Sequence, residues 1–161
     1  MAERFADLEE PFLRFTREIV WCTVTTVSPE GRPRSRILHP VWEVVDGRPV
    51  GWVFTGRTPV KTRHLAANPH VAFSYWTPSH DTVLGEAVAS WVEDQGARQH
   101  VWDLITTAPP PLGYDLAGFG LSGPRDPAFT PLRLDATRVQ VLDGSDVPKD
   151  FKPRMAVIGP R

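Results

Sequence analysis

The chain has 161 residues, enough for one domain with one sizeable core. A hydrophobic share of 41% and a charged share of 23% are ordinary for a globular chain, and a net charge of −1 excludes the broad basic field of a nucleic-acid-binding surface. One cysteine, Cys22, excludes an intrachain disulfide; no apolar run reaches the ~18 residues that span a membrane, and the acidic opening lacks a secretion signal, so the chain is expected in the cytoplasm.

In chain order, residues 7–17 predict a short helix, with Asp7 as its cap and Leu8, Phe12 and Phe15 at helical spacing. Residues 19–27 are β-branched and aromatic and predict a strand buried on both faces, with Cys22 a small buried hydrophobe. Ser28-Pro29-Glu30-Gly31 is a hairpin turn, and a second strand is expected over 33–45, closed by the hairpin signal Asp46-Gly47. A third strand at 50–55 leads to Thr58-Pro59, an N-cap followed by proline at the first helical position. The helix over 59–67 stops at Asn68-Pro69, and a fourth strand alternates over 70–76.

A fifth strand at 82–93 is interrupted by Gly85, where a bulge is expected. Residues 95–106 predict a helix; the proline- and glycine-rich stretch 108–128 predicts a long irregular loop, packed through Leu112, Tyr114, Leu116, Phe119 and Leu121. The sixth strand spans 130–142, and the polar tail 144–161 is expected to lie outside an ordered core of about 7–143. The whole reads as a single mainly β (α+β) domain: a small six-stranded antiparallel barrel with flanking short helices.

Two stretches carry residues suited to chemistry. The first is Thr55, Arg57, Thr58, Lys61 and Thr62, at the start of a helix. Free backbone N–H groups and the positive end of the helix dipole suit a phosphate there, and Lys61 lies one turn in. A capped surface helix with a solvated lysine explains the same residues. The second stretch is the alternation Arg32, Arg34, Arg36 ahead of Ile37 and Leu38. An arginine in register with apolar residues is partly desolvated and wants an anion. Arg36 therefore either pairs with Glu43 or Glu86, or holds a phosphate together with Lys61. The histidines at 39, 64, 70, 80 and 100 show no metal-ligand spacing, and Ser79-His80-Asp81 cannot converge as a triad from adjacent positions. Trp42, Trp52 and Trp76 are read either as barrel core or as shields for a bound ring.

The segments WCTVTTVSPEGRPRSR, RILHPVW and VFTGRTPVKTRHLAANPHVAFSYW, followed by FTPLRLDATRVQVLDG, resemble the pyridoxamine 5′-phosphate oxidase-like, FMN-binding split-barrel superfamily. The likeness rests on the hairpin, the arginine opening the next strand, and the lysine ahead of Asn68-Pro69, in that order. It implies a homodimer with FMN in the groove between subunits. Arg36 and Lys61 would hold the FMN phosphate, with Thr62 in the phosphate loop. Ile37, Leu38 and His39 would line the isoalloxazine ring; Phe54 and Thr55 would touch the ring or ribityl chain. Residues 80–83 of a second copy, Thr82 among them, would reach the same flavin. Val60 stands where the family usually has arginine, and Arg57 is a substitute from the turn.

The tail DFKPRMAVIGPR and the segment QHVWDLITTAPP lack the substrate-gripping motifs of the true oxidase, so the likeness is to its relatives. Some of these use the deazaflavin coenzyme F-420 in place of FMN. The expected activity is flavin-based redox on an unknown small molecule, with no side chain assigned as a catalytic acid or base; a flavin carrier or sensor is the non-enzymatic alternative. The 108–121 loop would wall the substrate side. No metal, nucleic acid or membrane partner is expected.

Overall fold

β-branched and aromatic residues make the strands, and prolines and glycines decide where they stop. The computed structural model describes residues 3–147 and 152–159. After a 3-10 turn at Phe5–Asp7 come α1 (Glu9–Ile19), β1 (Cys22–Val27), β2 (Pro33–Leu38), β3 (Val41–Val45) and β4 (Arg48–Phe54). Then follow α2 (Pro59–Ala67), β5 (His70–Trp76), β6 (Thr82–Trp91), α3 (Gln95–Thr107), β7 (Pro131–Leu142) and β8 (Arg154–Val157). The strands form one antiparallel sheet in the order β2-β1-β5-β6-β7-β4-β3, with β8 added on β7, the architecture of a split barrel.

Among the described residues eight strands stand where six were expected. The stretch 33–45 breaks at His39-Pro40, because proline has no N–H for the ladder and constrains the residue before it. The two halves part company there: β2 pairs with β1, and β3 pairs with β4. His39 therefore lies at the seam where the chain crosses from one sheet edge to the other. The second addition is β8, in the tail read as lying outside the ordered core. It pairs with the C-terminal half of β7, and Ala156 is fully buried. Arg154 holds this strand to Glu3 at 2.6 Å. The rest of that expectation, at 148–151 and 160–161, lies outside the described residues.

Smaller corrections have equally local causes. Asp7 does not cap α1; it pairs with Arg4 at 3.0 Å, and the helix starts at Glu9. β1 alternates buried and half-buried residues, so one face is covered rather than both. Gly85 is not itself the bulge, which falls between Glu86 and Ala87. Gly85 faces Phe73 across the ladder, and a Cβ there would lie 2.1 Å from the Phe73 ring. Asp46 and Gly47, both at positive φ, make the tight turn of the β3–β4 hairpin as expected.

Two clusters form the core. Leu8, Phe12 and Phe15 of the first helix region pack into the barrel against Val24, Trp42, Phe73 and Tyr75. Burying each large apolar side chain contributes about 1.5–3 kcal/mol. Trp42 donates its indole N–H to the Tyr75 hydroxyl at 2.8 Å, so neither polar group is stranded inside. Cys22 is buried beside them, its thiol pushed up to about 12 by desolvation. The second cluster joins Val50 and Trp52 of β4, Val101 and Ile105 of α3, and Leu112, Leu116, Leu121 and Phe129 of the following loop. That loop is packed, as its apolar residues required, and contains a 3-10 turn at Ala117–Phe119. No helix among the described residues is long and apolar enough to cross a membrane.

Candidate functional site

The site grows from the turn between β4 and α2. β4 ends at Phe54, and Thr55 and Gly56 carry the chain to Thr58, the extended N-cap residue. Pro59 follows at the first helical position, where its missing N–H costs nothing. Thr58 makes no side-chain cap bond, so its hydroxyl leaves the first backbone N–H groups of α2 uncapped. Lys61, one turn in, is 5% exposed and donates to the Thr55 hydroxyl and to the Gly56 carbonyl, the latter at 2.7 Å.

Arg36 comes to the same corner from β2. It is half-buried, on the covered face that β1 shares, and its Nη2 donates to Thr26 Oγ1 at 2.9 Å. Thr26 Oγ1 also lies 2.9 Å from Nδ1 of His64, which α2 brings in one turn after Lys61. Neither Arg36 nor Lys61 forms an ion pair among the described residues. Burial, and then the Arg36 guanidinium, push Lys61 down from 10.5 to about 8. Burial and Arg34 likewise lower Arg36. Among the described residues three buried side-chain atoms have no hydrogen-bond partner: Arg36 Nη1, Thr62 Oγ1 and His39 Nε2. Buried polar atoms are nearly always satisfied, so two donor-bearing groups beside a buried lysine leave this corner with unused donors that an anion could accept from.

An apolar cavity of about 380 Å³ adjoins the corner through Ile37 and Phe54, the chain neighbours of Arg36 and Thr55. Trp21, Leu38, His39, Pro111, Tyr114 and Phe119 complete its wall. The rings interlock: His39 lies 5.2 Å from Trp21 and 4.8 Å from Tyr114, and Phe119 lies 6.0 Å from Phe54. Burial raises the Tyr114 phenol to about 12 and lowers the His39 imidazole, so both are neutral near pH 7. Trp21 is placed by Val20, whose φ of 67° and ψ of −58° form a γ-turn closed by the Trp21 N–H on the Ile19 carbonyl at 2.7 Å. That backbone is strained for a β-branched residue.

The expected site residues thus fall into two adjoining groups. Arg36, Thr55, Lys61 and Thr62 make the charged corner, and Ile37, Leu38, His39 and Phe54 line the cavity. Arg57 is paired with Glu93 and stacked 4.7 Å over Trp91, the ring that Lys61 Nζ also faces at 6.0 Å, so it stands beside the corner with its charge engaged. Thr82 opens β6, bonds its hydroxyl to the His80 carbonyl at 2.9 Å, and does not line the cavity of its own chain. Arg36 has no bond to Glu43 or Glu86. Glu43 accepts from Trp52 at 2.8 Å and lies 2.7 Å from His100, and Glu86 lies 3.8 Å from Arg138. Trp42 and Trp52 are core; Trp76 is 59% exposed on β5. No group of three His, Cys, Asp or Glu residues able to hold a metal occurs among the described residues.

Sequence reading missed Thr26, His64 and Trp21. Thr26 could have been found from the hairpin: the Ser28–Gly31 turn sets Val24 opposite Arg36, which puts Thr26 on the same face, one diagonal away. His64 had no such local signal.

The split barrel defines the fold class, and sequence comparison gives the family. The profile of the family described as pyridoxamine 5′-phosphate oxidase matches residues 8–143. The chain belongs to that family. No curated protein matches it. Among solved structures, General Stress Protein 26 of Bacillus anthracis str. Sterne superposes with a TM-score of 0.68 at 18% identity, over 94% of this chain and 98% of that one. A pyridoxamine 5′-phosphate oxidase-related, FMN-binding protein of Nostoc punctiforme PCC 73102 gives 0.65 at 18% identity, over 99% and 98%. An F420 reductase gives 0.53 at 20% identity, over 78% and 93%. At these identities the likeness is one of fold.

Proposed function

We propose that this protein binds FMN and uses it as an oxidoreductase on a small planar or apolar substrate. The observation that carries this reading is the pairing of Lys61 and Arg36, two half- to fully-buried cations without a carboxylate partner among the described residues, close in the chain to Ile37 and Phe54 of the aromatic cavity wall. The residues present fit the group. Arg36 Nη1, Lys61 Nζ and Thr62 Oγ1 have the donors for a terminal phosphate, and the wall of Ile37, Leu38, His39 and Phe54 suits a flat tricyclic ring. FMN-binding and F420-reducing proteins sharing the fold support the cofactor class.

When bound, the flavin supplies the hydride or electron transfer. The chain's own residues bind, orient and exclude water. Arg36 and Lys61 anchor the ring at a distance through its side chain, which fixes its position without touching the reacting atoms. Phe119 and Tyr114, 5.8 Å apart, form the loop wall that a substrate must pass and that keeps solvent off the ring. His39 is on the cavity wall and is neutral near pH 7, and its Nε2, without a partner among the described residues, is a hydrogen-bond partner for the ring or the substrate.

The homodimer belongs to the same reading. Trp76 and Leu84, exposed on neighbouring strands β5 and β6, form an apolar face that a second copy would cover, bringing its 80–83 segment to the flavin.

The purified protein is expected to carry the visible absorption of a bound flavin, and mass spectrometry of the released cofactor to give FMN. A colourless protein that takes up coenzyme F-420 on addition would assign the deazaflavin instead. Bound flavin with no turnover of any reductant and acceptor pair would assign a carrier or sensor. Arg36→Ala and Lys61→Ala are each expected to weaken FMN by about 1.5–3 kcal/mol, the range for charged hydrogen bonds.

A further inference from the structure

We propose that His64 is a positioning residue for the phosphate: it aims the Arg36 guanidinium by way of the Thr26 hydroxyl. The inference rests on the reading of the Arg36–Lys61 corner as a phosphate site. His64 is 3% exposed and Thr26 1%, and the chain His64 Nδ1, Thr26 Oγ1, Arg36 Nη2 has two links of 2.9 Å each. A guanidinium only donates, so Thr26 Oγ1 accepts from Arg36. The single hydroxyl proton of Thr26 is then free for Nδ1 of His64, and no other acceptor among the described residues is bonded to it. This network assigns His64 as the neutral tautomer, with its proton on Nε2 and its Nδ1 lone pair facing the threonine.

A protonated His64 would break the chain. It would present a second donor to an oxygen already engaged by Arg36 and leave the threonine proton without an acceptor. The surroundings oppose that state. Burial lowers the affinity of the imidazole for a proton, and Arg63 of α2 with Arg34 and Arg36 of β2 add to the effect, against Glu30 of the β1–β2 turn. Lys61, one turn earlier on the same helix, carries the same sign of charge. His64 is therefore held as an acceptor, Thr26 is held as a relay, and one terminal nitrogen of Arg36 is tied off. The other, Nη1, is buried without a partner and is the donor left for an anion. Without this tether the arginine side chain would have to be ordered by the ligand itself, and part of the binding energy would be spent on that ordering.

The test compares FMN with riboflavin, which has the same ring and no phosphate, by fluorescence titration of the full chain. His64→Leu is expected to weaken FMN about tenfold, the loss of one buried hydrogen bond to a charged network, and to leave riboflavin within about twofold. His64→Asn, whose amide oxygen can stand where Nδ1 stands, is expected to restore FMN to within about threefold of the wild type. Thr26→Val should reproduce the His64→Leu loss, and the double variant should lose no more than either single one, as for groups acting in series. Equal weakening of FMN and riboflavin by His64→Leu and Thr26→Val, or no weakening of FMN, would overturn the proposal. Arg36→Ala, run alongside, separates this from the reading beneath it. If Arg36→Ala discriminates against FMN and the His64 variants do not, only the positioning role falls. If Arg36→Ala does not discriminate either, the phosphate site falls and His64's role with it.

Discussion

Lys61 and Arg36 reach one corner from different elements, α2 and β2, and the Arg36 guanidinium makes Lys61 harder to protonate. The guanidinium and burial together bring the lysine down from 10.5 to about 8. A displacement of that size corresponds to about 3 kcal/mol of penalty on the charged lysine. The two hydrogen bonds that Lys61 donates, to Thr55 and Gly56, offset that penalty by about 1.5–3 kcal/mol each, the range for a charged donor. Lys61→Met is therefore expected to leave the ligand-free Tm unchanged or to lower it by up to about 10 °C, and to weaken FMN by about 1.5–3 kcal/mol. Thermal melts with and without FMN check both. A ligand-free Tm that rises instead would mean that the desolvated charge outweighs its two bonds.

The same shift gives a pH signature. In the ligand-free protein Lys61 loses its charge as pH rises through about 8. A bound phosphate favours the charged lysine, so its pKa rises on binding and the proton is taken up with the ligand. FMN affinity should be flat from pH 7 to about 8 and then fall by up to about tenfold per pH unit. Stability of the ligand-free protein moves the other way: the unfolded chain holds the lysine proton more tightly than the fold does, so this group adds stability between about 8 and 10.5. Titrations of FMN across this range, with Lys61→Met as the flat control, read the effect.

Phe119 tests the ring-binding half of the site. It is 66% exposed, yet it closes the cavity against Phe54 and Tyr114. Phe119→Ala should leave Tm within about 2 °C, because little of the ring is buried in the ligand-free fold. It should weaken FMN and riboflavin alike, by about 0.5–1.5 kcal/mol, the scale of one aromatic contact. That pattern is the converse of the one expected from Arg36 and Lys61. A loss confined to FMN would place the phosphate in the aromatic cavity and reverse the assignment.

Gly85 tests the barrel wall behind the site. A methyl group there would lie 2.1 Å from the Phe73 ring and 2.7 Å from the Arg138 carbonyl. The second contact is backbone and cannot swing away. Gly85→Ala should cost about 1–3 kcal/mol by overpacking, read from urea or thermal denaturation. A shift under about 0.5 kcal/mol, the scale of a neutral surface change, would show that the strands spread freely.

How much of this was legible in the sequence follows from the range of each interaction. Short-range signals worked: β-branched runs gave the strands, Asp46-Gly47 gave the hairpin, and Thr58-Pro59 marked the start of α2. His39-Pro40 was in plain view as a strand breaker, yet the apolar alternation through Leu38, Pro40 and Trp42 ran straight across it and hid the seam. β8 was hidden for the opposite reason. Its four residues, Arg154 to Val157, are too few to announce a strand, and the β7 edge makes them one. The charged corner was anticipated through Arg36 and Lys61 because unusual residues stood at positions with a local meaning. The Thr26–His64 bond, between residues 38 apart in sequence, depends on how α2 lies over β1, and no spacing rule reports that.

The most direct test of the account is the difference in affinity between FMN and riboflavin for the unmodified protein, measured at pH 7 by fluorescence titration. If the two cations at Arg36 and Lys61 hold the phosphate, FMN binds at least about 30-fold tighter, the equivalent of about 2 kcal/mol from one charged hydrogen-bonded group. Equal affinities for FMN and riboflavin would contradict it.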